Sequence, residues 1–328
     1  MAWKEFRKGK RAKLDVQAFE YHLEDNIFAL HDDLVSGRYR HGRYYQFWIT
    51  DPKPRLISKA RVRDRLLHHA IHRILYPMLD PTFIFDSYSC RNDKGTHKAF
   101  ARLVAMARKI SRNYTGPCWA LKLDIRKFFD SVNHITLVAL LEVRIADERL
   151  MELLKEIIFS FSRFRIESGM TNGGKGIPLG NLTSQLFANV YLDSLDKFVK
   201  HRLKARCYLR YADDFIFLAN NPDELMGYLV EVSQLLKTSL KLQLHPGKII
   251  LRKLKWGIDY VGYVALPHYS IPRRKTIGRI TKRVGKLLGQ GGRDELTKAL
   301  PSYLGYLGHV KGYNTTQQLK NLVDGVGC

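Results

Sequence analysis

Cysteine is scarce in this chain of 328 residues, and no two cysteines lie close together in the sequence. The four are Cys90, Cys118, Cys207 and Cys328. Because no CxxC pair is present, the sequence indicates neither a zinc or redox site built on cysteine nor a disulfide framework. We therefore expect ordinary thiols.

Long apolar runs are also lacking. No segment approaches the roughly 20 apolar residues that span a bilayer. The basic N-terminal segment MAWKEFRKGKRAKLD is not followed by the apolar core of a secretory signal. We expect a soluble, cytoplasmic protein with no membrane partner, in which residues 1–15 form a mobile or partner-bound arm.

Negative charge is in short supply, since 31 Asp and Glu stand against 55 Lys and Arg, for a net charge of +24. A surplus this large exceeds what solubility requires, and it indicates a polyanionic partner whose phosphates the protein neutralises. The 45% hydrophobic and 26% charged content is typical of globular proteins. The length predicts two or three packed subdomains.

Hydrophobic periodicity predicts a mixed α+β fold with a central antiparallel sheet and a basic, helical C-terminal segment. Strand patterns lie at 118–125, 209–219 and 248–266, and helical patterns lie at 61–79, 97–110, 148–161, 221–240, after the glycine-rich segment 173–181, and beyond Pro267. No internal repeat is present.

Two adjacent acids, Asp213 and Asp214, interrupt the apolar strand pattern LRYADDFIFLA. Two carboxylates side by side repel each other, and burial would protonate one of them unless a cation compensates. Mg²⁺ is suited to this task because it prefers a few carboxylate oxygens together with substrate phosphates. Asp124, at the end of the strand pattern LKLDI, supplies a third acid, and three such acids would hold two metal ions for phosphoryl transfer.

Each of these acids also has a plainer interpretation. An Asp-Asp pair is most often a turn or a solvated loop, and Asp124 could cap the helix that follows it. Their joint occurrence at strand ends, in a strongly basic chain, favours catalysis.

These motifs resemble those of reverse transcriptases. YADDF (211–215) is similar to the catalytic hairpin, KLDIRKFFDSV (122–132) to the first aspartate motif, and GIPLGNLTSQLFANVYLD (176–193) to the nucleotide-pocket loop and its helix. The segments KPRLI (53–57), LQLHPGKI (242–249) and YVGY (260–263) follow the family order. The resemblance covers about residues 45–266 and implies an RNA-directed DNA polymerase.

The fold that the resemblance implies is a right-hand polymerase. We expect an N-terminal arm and fingers over 1–118, and a palm with the central antiparallel sheet over 119–266. The palm would carry a fingers-like helical insertion near 134–175, and a basic helical thumb would occupy 267–328.

The pocket loop points to a subtype. Many members, including group II intron enzymes, carry a glutamine before the glycine and a proline after the serine, where this chain has Leu179, Gly180, Ser184 and Gln185. This pattern, together with YSCRNDKGTH (88–97), is similar to reverse transcriptases of diversity-generating retroelements. Those enzymes copy a template RNA into cDNA with errors at adenines (mutagenic retrohoming) in bacterial, phage or archaeal hosts, and they work with a small basic accessory protein.

The resemblance also implies roles for single residues. Asp124, Asp213 and Asp214 would bind two Mg²⁺ ions, for which Mn²⁺ is a possible substitute, assisted by the backbone carbonyl of Ile125, and Lys248 would protonate the leaving pyrophosphate. Residues expected to bind the incoming dNTP are Arg55, Lys53, Phe129 as steric gate, Leu179, Gly180, Gln185 and Tyr211. Residues expected to bind template RNA, primer or cDNA are Arg91, Lys94, Arg273, Arg274 and Lys275.

Several of these residues have ordinary alternatives. Phe129 could be a core aromatic, with Phe128 as the gate, and Tyr211 a strand aromatic. Lys248, Arg91 and Lys94 could be solvated charges.

Other functions stay open at this point. The chain could be a retron, group II-like or phage-defence reverse transcriptase, and such an enzyme could make DNA without a template. It could also be a catalytically silent RNA-binding scaffold, although a scaffold has no need for three mutually repelling carboxylates.

Overall fold

The structure is a computed structural model that describes residues 1–51, 53–169, 173–290, 293–310 and 317. Cys328 and most of the last 18 positions expected in the thumb, 311–328, lie outside the described residues. Among the described residues, no helix is long and apolar enough to cross a membrane. Cys90, Cys118 and Cys207 are free thiols, as expected.

The described chain contains both helices and strands. The helices are α1 (Ala2–Phe6), α2 (Leu14–Tyr21), α3 (Leu23–Val35), α4 (Val62–Leu79), α5 (Thr96–Ile110), α6 (Phe128–Ser131), α7 (His134–Glu142), α8 (Glu148–Glu167), α9 (Leu182–Lys197), α10 (Pro222–Thr238), α11 (Arg274–Gly289) and α12 (Arg293–Gly308). The strands are β1 (Tyr45–Ile49), β2 (Arg55–Lys59), β3 (Trp119–Asp124), β4 (Tyr208–Tyr211), β5 (Asp214–Ala219), β6 (Ile250–Lys253), β7 (Ile258–Tyr260), β8 (Tyr263–Leu266) and β9 (Tyr269–Pro272).

The chain divides into two compact units, each built from three segments. Unit 1 comprises Met1–Phe85, Ile125–Lys204 and Glu231–Gly247, and unit 2 comprises Asp86–Asp124, Ala205–Val230 and Lys248–Cys328.

Unit 1 is mainly helical. Helix α4 packs on α9, and β1 pairs with β2 in an antiparallel hairpin. The N-terminal segment differs from the expected mobile arm, because Trp3 and Phe6 of α1 are buried against Val16 and against Val62 and Leu66 of α4. The physical reason is the hydrophobic effect, because burial of two large aromatic side chains stabilises the contact of the first helix with the rest of unit 1, although the segment is basic.

The predicted central antiparallel sheet is present and lies in unit 2. Its strand order is β4-β5-β3-β6. Strand β5 is buried along its length from Phe215 to Ala219. Helix α5 covers one face of the sheet, where Phe100 and Leu103 join Leu209 and Ile216 in the core. Burial on both faces explains why the strand sequence FIFLA is continuously apolar instead of alternating.

The C-terminal part of unit 2 is a second, three-stranded sheet followed by two helices. Strands β7, β8 and β9 are antiparallel. Helices α11 and α12 pack on each other through Ile280, Val284, Leu287, Leu296 and Leu307. The segment beyond Pro267, predicted to be helical, begins instead with strand β9 and then forms the two helices Arg274–Gly289 and Arg293–Gly308.

Candidate active site

The two adjacent aspartates lie at the tip of the β4–β5 hairpin. Tyr211 pairs with Asp214, which leaves Ala212 and Asp213 as the two residues of the turn. Ala212 has a φ of 56°, in the left-handed region that costs a residue with a Cβ about 1–2 kcal/mol. Strain of this kind persists only where the surrounding structure holds the turn in place.

Arg210, which sequence reasoning missed, supplies part of that hold. Its side chain is fully buried. Its Nη1 donates to the Ala212 carbonyl at 3.0 Å, and its Nη2 donates to Ser87 Oγ at 3.0 Å. The backbone N–H of Arg210 also donates to the carbonyl of Asp86 at 2.9 Å. The available signal was an arginine inside the apolar stretch YLRYADDF, because a charged side chain buried there needs hydrogen-bond partners.

Asp124 and Asp214 face each other across the sheet. They are directly opposite in the antiparallel register of β3 and β5. Opposite residues on neighbouring strands point to the same face, with Cβ atoms about 5 Å apart, and like charges placed in this way destabilise the pair. The register thus brings two of the three predicted acids together.

Each of the two carboxylates also has a lysine beside it. Lys122 Nζ lies 3.0 Å from Asp214 Oδ2, and Lys248 Nζ lies 2.7 Å from Asp124 Oδ1. Lys122 is a further residue that sequence reasoning missed. Its position two residues before Asp124 on the same strand face was the available signal.

The carboxyl group of Asp214 is only partly compensated. Its Oδ1 is buried and accepts no hydrogen bond from any described residue. The pKa of Asp214 is raised from 3.8 to about 6, mainly by burial and also by the neighbouring charges of Asp124 and Asp213, against the lowering effect of Lys122. A buried carboxylate oxygen without a donor is a position where a cation would be stabilising.

The acids are close enough to influence one another, but they do not form a compact ligand cage. In the described part of the chain, no three His, Cys, Asp or Glu side chains are grouped closely enough to hold one metal ion. Lys248 contacts the carboxylate of Asp124, and Lys122 contacts that of Asp214. Metal binding would therefore require the two lysine ammonium groups to move away from these carboxylates. The donors themselves, hard carboxylate oxygens and one orphaned Oδ1, fit Mg²⁺.

The glycine-rich loop lies in unit 1, along strand β2. Leu179 accepts a hydrogen bond through its carbonyl from the backbone N–H of Ser58 at 3.0 Å. Asn181 continues this pairing, because its Oδ1 accepts from the Ala60 N–H at 3.3 Å and its Nδ2 donates to the Ser58 carbonyl at 3.2 Å. Gly180, between them, has a φ of 108°, and a Cβ there would lie 2.8 Å from Ile57 Cγ2.

The two candidate gate residues differ in exposure. Phe128 is buried in the core, whereas Phe129 is half-buried. The Phe129 carbonyl accepts from the backbone N–H of Ile177 at 2.8 Å, which ties the segment to the glycine-rich loop. Accessibility therefore favours Phe129 over Phe128 as the gate.

The remaining expected dNTP-binding residues are mostly at the surface of unit 1. Arg55 begins β2 and is exposed, as are Lys53 and Gln185. Ile125, which directly follows Asp124 in the chain, is buried. Tyr211, in unit 2, is half-buried, and burial raises its pKa.

The expected nucleic-acid contacts in unit 2 divide into exposed and engaged residues. Arg274 and Lys275 are exposed at the start of α11. Arg273, by contrast, donates through Nε to Asp259 Oδ1 at 2.7 Å. In the loop before α5, Arg91 Nη1 donates to the Ser87 carbonyl at 3.1 Å. In the same loop, Lys94 Nζ lies 5.0 Å from the centre of the Tyr88 ring.

Most of the chain matches one known protein family. Residues 50–265 match the family described as reverse transcriptase (RNA-dependent DNA polymerase). The chain belongs to this reverse transcriptase family. The resemblance inferred from the aspartate motifs is thereby confirmed at the level of the family.

Two curated relatives illustrate the range of the family. Protein YkfC of Escherichia coli (strain K12) is 25% identical over 286 residues, which are 76% of this chain and 72% of YkfC. The group II intron-encoded protein LtrA of Lactococcus lactis subsp. cremoris is 27% identical over 179 residues, or 54% of this chain. This chain covers only 28% of LtrA.

Solved structures agree on the fold. Apo telomerase from Candida tropicalis, truncated from its C-terminal domain, matches with a TM-score of 0.54 and 12% identity, over 72% of this chain and 55% of that one. Telomerase from Candida albicans, in complex with a TWJ fragment of telomeric RNA, matches with a TM-score of 0.52 and 11% identity, over 73% of this chain and 46% of that one. The predicted right-hand polymerase fold of helices and antiparallel sheet is confirmed.

Proposed function

We propose that the chain is an RNA-directed DNA polymerase that copies a template RNA into cDNA. The observation that carries the proposal is the register of the hairpin: Asp124 and Asp214 lie opposite each other, beside Asp213 in a strained turn, with an orphaned buried Oδ1. Family membership supports the same reaction class.

We propose Asp124, Asp213 and Asp214 as the residues that would hold two Mg²⁺ ions, with the Ile125 carbonyl assisting. Such ions, when bound, activate the attacking hydroxyl and neutralise charge on the leaving pyrophosphate. The contribution of the protein is to bring carboxylates together at the ends of rigid strands, so that little reorganisation is needed during the reaction. Mn²⁺ would serve as a substitute.

Lys248 is proposed to donate a proton to the leaving pyrophosphate. Its ammonium is 2.7 Å from Asp124, so it stands beside the reacting groups. If Asp124 held a cation, the ammonium of Lys248 would be available to donate to an oxygen of the substrate.

In unit 1, Arg55, assisted by Lys53, is proposed to bind the triphosphate, for which the planar guanidinium offers bidentate donation. Phe129 would exclude the 2′-hydroxyl of a ribonucleotide. Leu179 and Gly180 would line the base pair.

The test of the proposal is the variant Asp213→Ala. Loss of a metal ligand is expected to reduce Mg²⁺-dependent dNTP incorporation by at least about a thousandfold while RNA binding is retained. The matched control is Asp223→Ala, which removes an exposed acid at the start of α10. Normal incorporation by Asp213→Ala would overturn the site, and inactivity of the unaltered chain together with retained RNA binding would favour a silent scaffold.

We further propose that polymerisation is error-prone at template adenines, as in diversity-generating retroelements. The support is Leu179, whose aliphatic side chain offers no polar contact to a base pair, because apolar pockets discriminate poorly between molecules of similar shape. The variant Leu179→Gln is expected to lower misincorporation opposite adenine by about tenfold, measured by sequencing of products. An unchanged error spectrum would refute this explanation.

A group II-like reverse transcriptase is the second candidate, favoured by the similarity to LtrA. Sequencing the cDNA made on co-purified RNA would separate the two, with and without small basic proteins encoded nearby as candidate accessory subunits. Errors concentrated at adenines support the diversity-generating type, and uniform fidelity supports the group II-like type.

A further inference from the structure

Unit 2 carries a basic and aromatic surface that none of the motifs above uses. We call it the distal track and define it by Arg108, Lys109, Arg112, Tyr114, Trp119, Lys253, Lys255, Trp256 and His268. Two adjoining cavities mark it, one of about 280 Å³ and one of about 760 Å³, and Tyr114 lines both. No acidic residue is among the described residues that line either cavity.

Aromatic side chains and lysines alternate at one end of the distal track. Trp256 is 53% exposed. Its ring meets that of Trp119 edge to face, with centroids 6.2 Å apart. Lys253 Nζ lies 4.6 Å from the centre of the Trp119 ring and 5.6 Å from that of Trp256. An exposed indole ring beside lysines offers both a surface on which a base can stack and positive charge for a phosphate.

The other end of the distal track is held in a strained conformation. Arg112, Asn113 and Tyr114 are three consecutive residues with positive φ, of 48°, 61° and 71°. Non-glycine residues visit this region singly as a rule, and strain concentrates at functional sites. The turn is fastened by Arg108, whose Nε donates to Asn113 Oδ1 at 2.8 Å, and it brings the Tyr114 ring within 4.7 Å of the His268 ring.

The distal track is separate from the catalytic hairpin. Trp119 begins strand β3 and Asp124 ends it. At about 3.3 Å per residue, the two positions are roughly 17 Å apart along the strand. A nucleic acid held at the track would therefore contact the protein away from the nucleotides that react.

We propose that the distal track binds an unpaired, single-stranded segment of RNA outside the copied region. Exposed bases would stack on Trp256 and enter the 280 Å³ cavity beside Tyr114 and Trp119, while the lysines and arginines neutralise the phosphates. Charge favours this occupant over a basic protein, because the track would repel one. The proposal rests on the proposed function only in requiring that the chain binds RNA.

The test measures binding of a fluorescein-labelled oligouridine RNA to the full chain by anisotropy. Saturating unlabelled RNA–DNA primer–template is present so that the polymerase site is occupied. Trp256→Ala is expected to weaken binding about tenfold, through loss of base stacking. Lys109→Gln and Lys255→Gln, at exposed positions where folding is not at risk, are each expected to lower the slope of log Kd against log salt by about 0.7.

The control variant is Phe28→Ala, which removes an aromatic side chain that is 66% exposed on α3, a helix rich in acids. It is expected to bind RNA as the unaltered chain does. If Trp256→Ala and both lysine variants also bind oligouridine normally, the distal track is not the site. The same conclusion follows if these substitutions weaken only the binding of the primer–template duplex. Failure of the unaltered chain to bind any RNA would instead refute the proposed function.

A parallel titration with oligothymidine identifies what the track reads. Loss of binding in the variants for RNA alone supports recognition of the 2′-hydroxyl, and equal loss for both oligonucleotides supports recognition of bases and phosphates. Either result supports the single-strand site.

Discussion

At the scale of single residues, the β4–β5 hairpin concentrates unfavourable features in a small region. Asp214 has a buried oxygen without a donor, Ala212 has a left-handed backbone, and Asp124 faces a like charge. Each would cost stability in an ordinary turn, and sites that hold cations are where such costs are offset. These features support the proposal that the hairpin tip holds cations.

The raised pKa of Asp214 predicts a specific dependence of stability on pH. Because the metal-free folded protein holds this proton more tightly than the unfolded chain does, the stabilising contribution of Asp214 is complete below pH 3.8 and is lost as the pH rises through about 6. The loss is about 2–3 kcal/mol, since one pKa unit corresponds to about 1.4 kcal/mol. Lys122, Asp124 and Asp213 are the charged groups around it.

Urea denaturation of the unaltered chain and of Asp214→Asn, in EDTA at pH 4 and at pH 7, measures this effect. Between pH 4 and pH 7, the unfolding free energy of the unaltered chain should fall relative to that of Asp214→Asn. Millimolar Mg²⁺ should reduce the shift, because a bound cation favours the carboxylate. A difference that does not change with pH would show that Asp214 has no raised pKa.

Arg210 offers a second test at this scale. Arg210→Met removes the buried guanidinium with its hydrogen bonds to the Ala212 carbonyl and to Ser87 Oγ, and is expected to destabilise the protein by about 3 kcal/mol. Primer extension should fall by at least about tenfold, with a higher Mg²⁺ requirement, because the turn at Ala212 is no longer held.

The second substitution Ala212→Gly should restore part of that extension, since glycine adopts the left-handed φ without steric cost. Ala212→Gly alone is the reference for this comparison. If the double variant has the same Mg²⁺ requirement as Arg210→Met, then Arg210 acts on stability alone and not through the turn.

At the scale of elements, the glycine-rich loop is shaped by strand β2. The loop and the strand are paired from Leu179 to Asn181, and Gly180 meets Ile57 where they cross. The sequence identified the loop from its glycines. The partner strand was not evident, because hydrogen bonding between distant segments leaves no local pattern.

Gly180→Ala is expected to disturb this crossing. A Cβ 2.8 Å from Ile57 Cγ2, at a φ of 108°, should cost about 1–3 kcal/mol and move the Leu179 side chain. The KM for dNTP should rise about tenfold, measured by steady-state primer extension. Gly227→Ala, in helix α10 with open space around it, is the matched control and should leave the KM unchanged.

Adding Ile57→Ala to Gly180→Ala should recover part of the lost affinity, because it removes the methyl group that the new Cβ meets. If the double variant has the same KM as Gly180→Ala, the effect comes from backbone strain and not from contact with β2.

At the scale of the whole molecule, the surplus of positive charge serves more than one surface. Arg274 and Lys275 lie on the expected thumb helix, whereas Arg112 and Lys255 belong to the distal track. A count of charges indicates a polyanionic partner but not which faces it touches. Charge alone was also a poor guide to the N-terminal segment. Its basic residues suggested an exposed arm, whereas the buried side chains of Trp3 and Phe6 pack it against the rest of unit 1.

The sequence by itself determined the family, the fold class and the candidate acids, because these depend on short motifs and on the local period of apolar residues. Only the tertiary structure decided that Asp124 stands opposite Asp214 and that Lys122 and Arg210 contact residues at the hairpin tip. It also decided that Tyr114, Trp119 and Trp256 share a surface. The physical reason is that strand register and cavity walls arise from segments distant in sequence. Their contacts follow from how the strands and helices pack, and no local pattern records that.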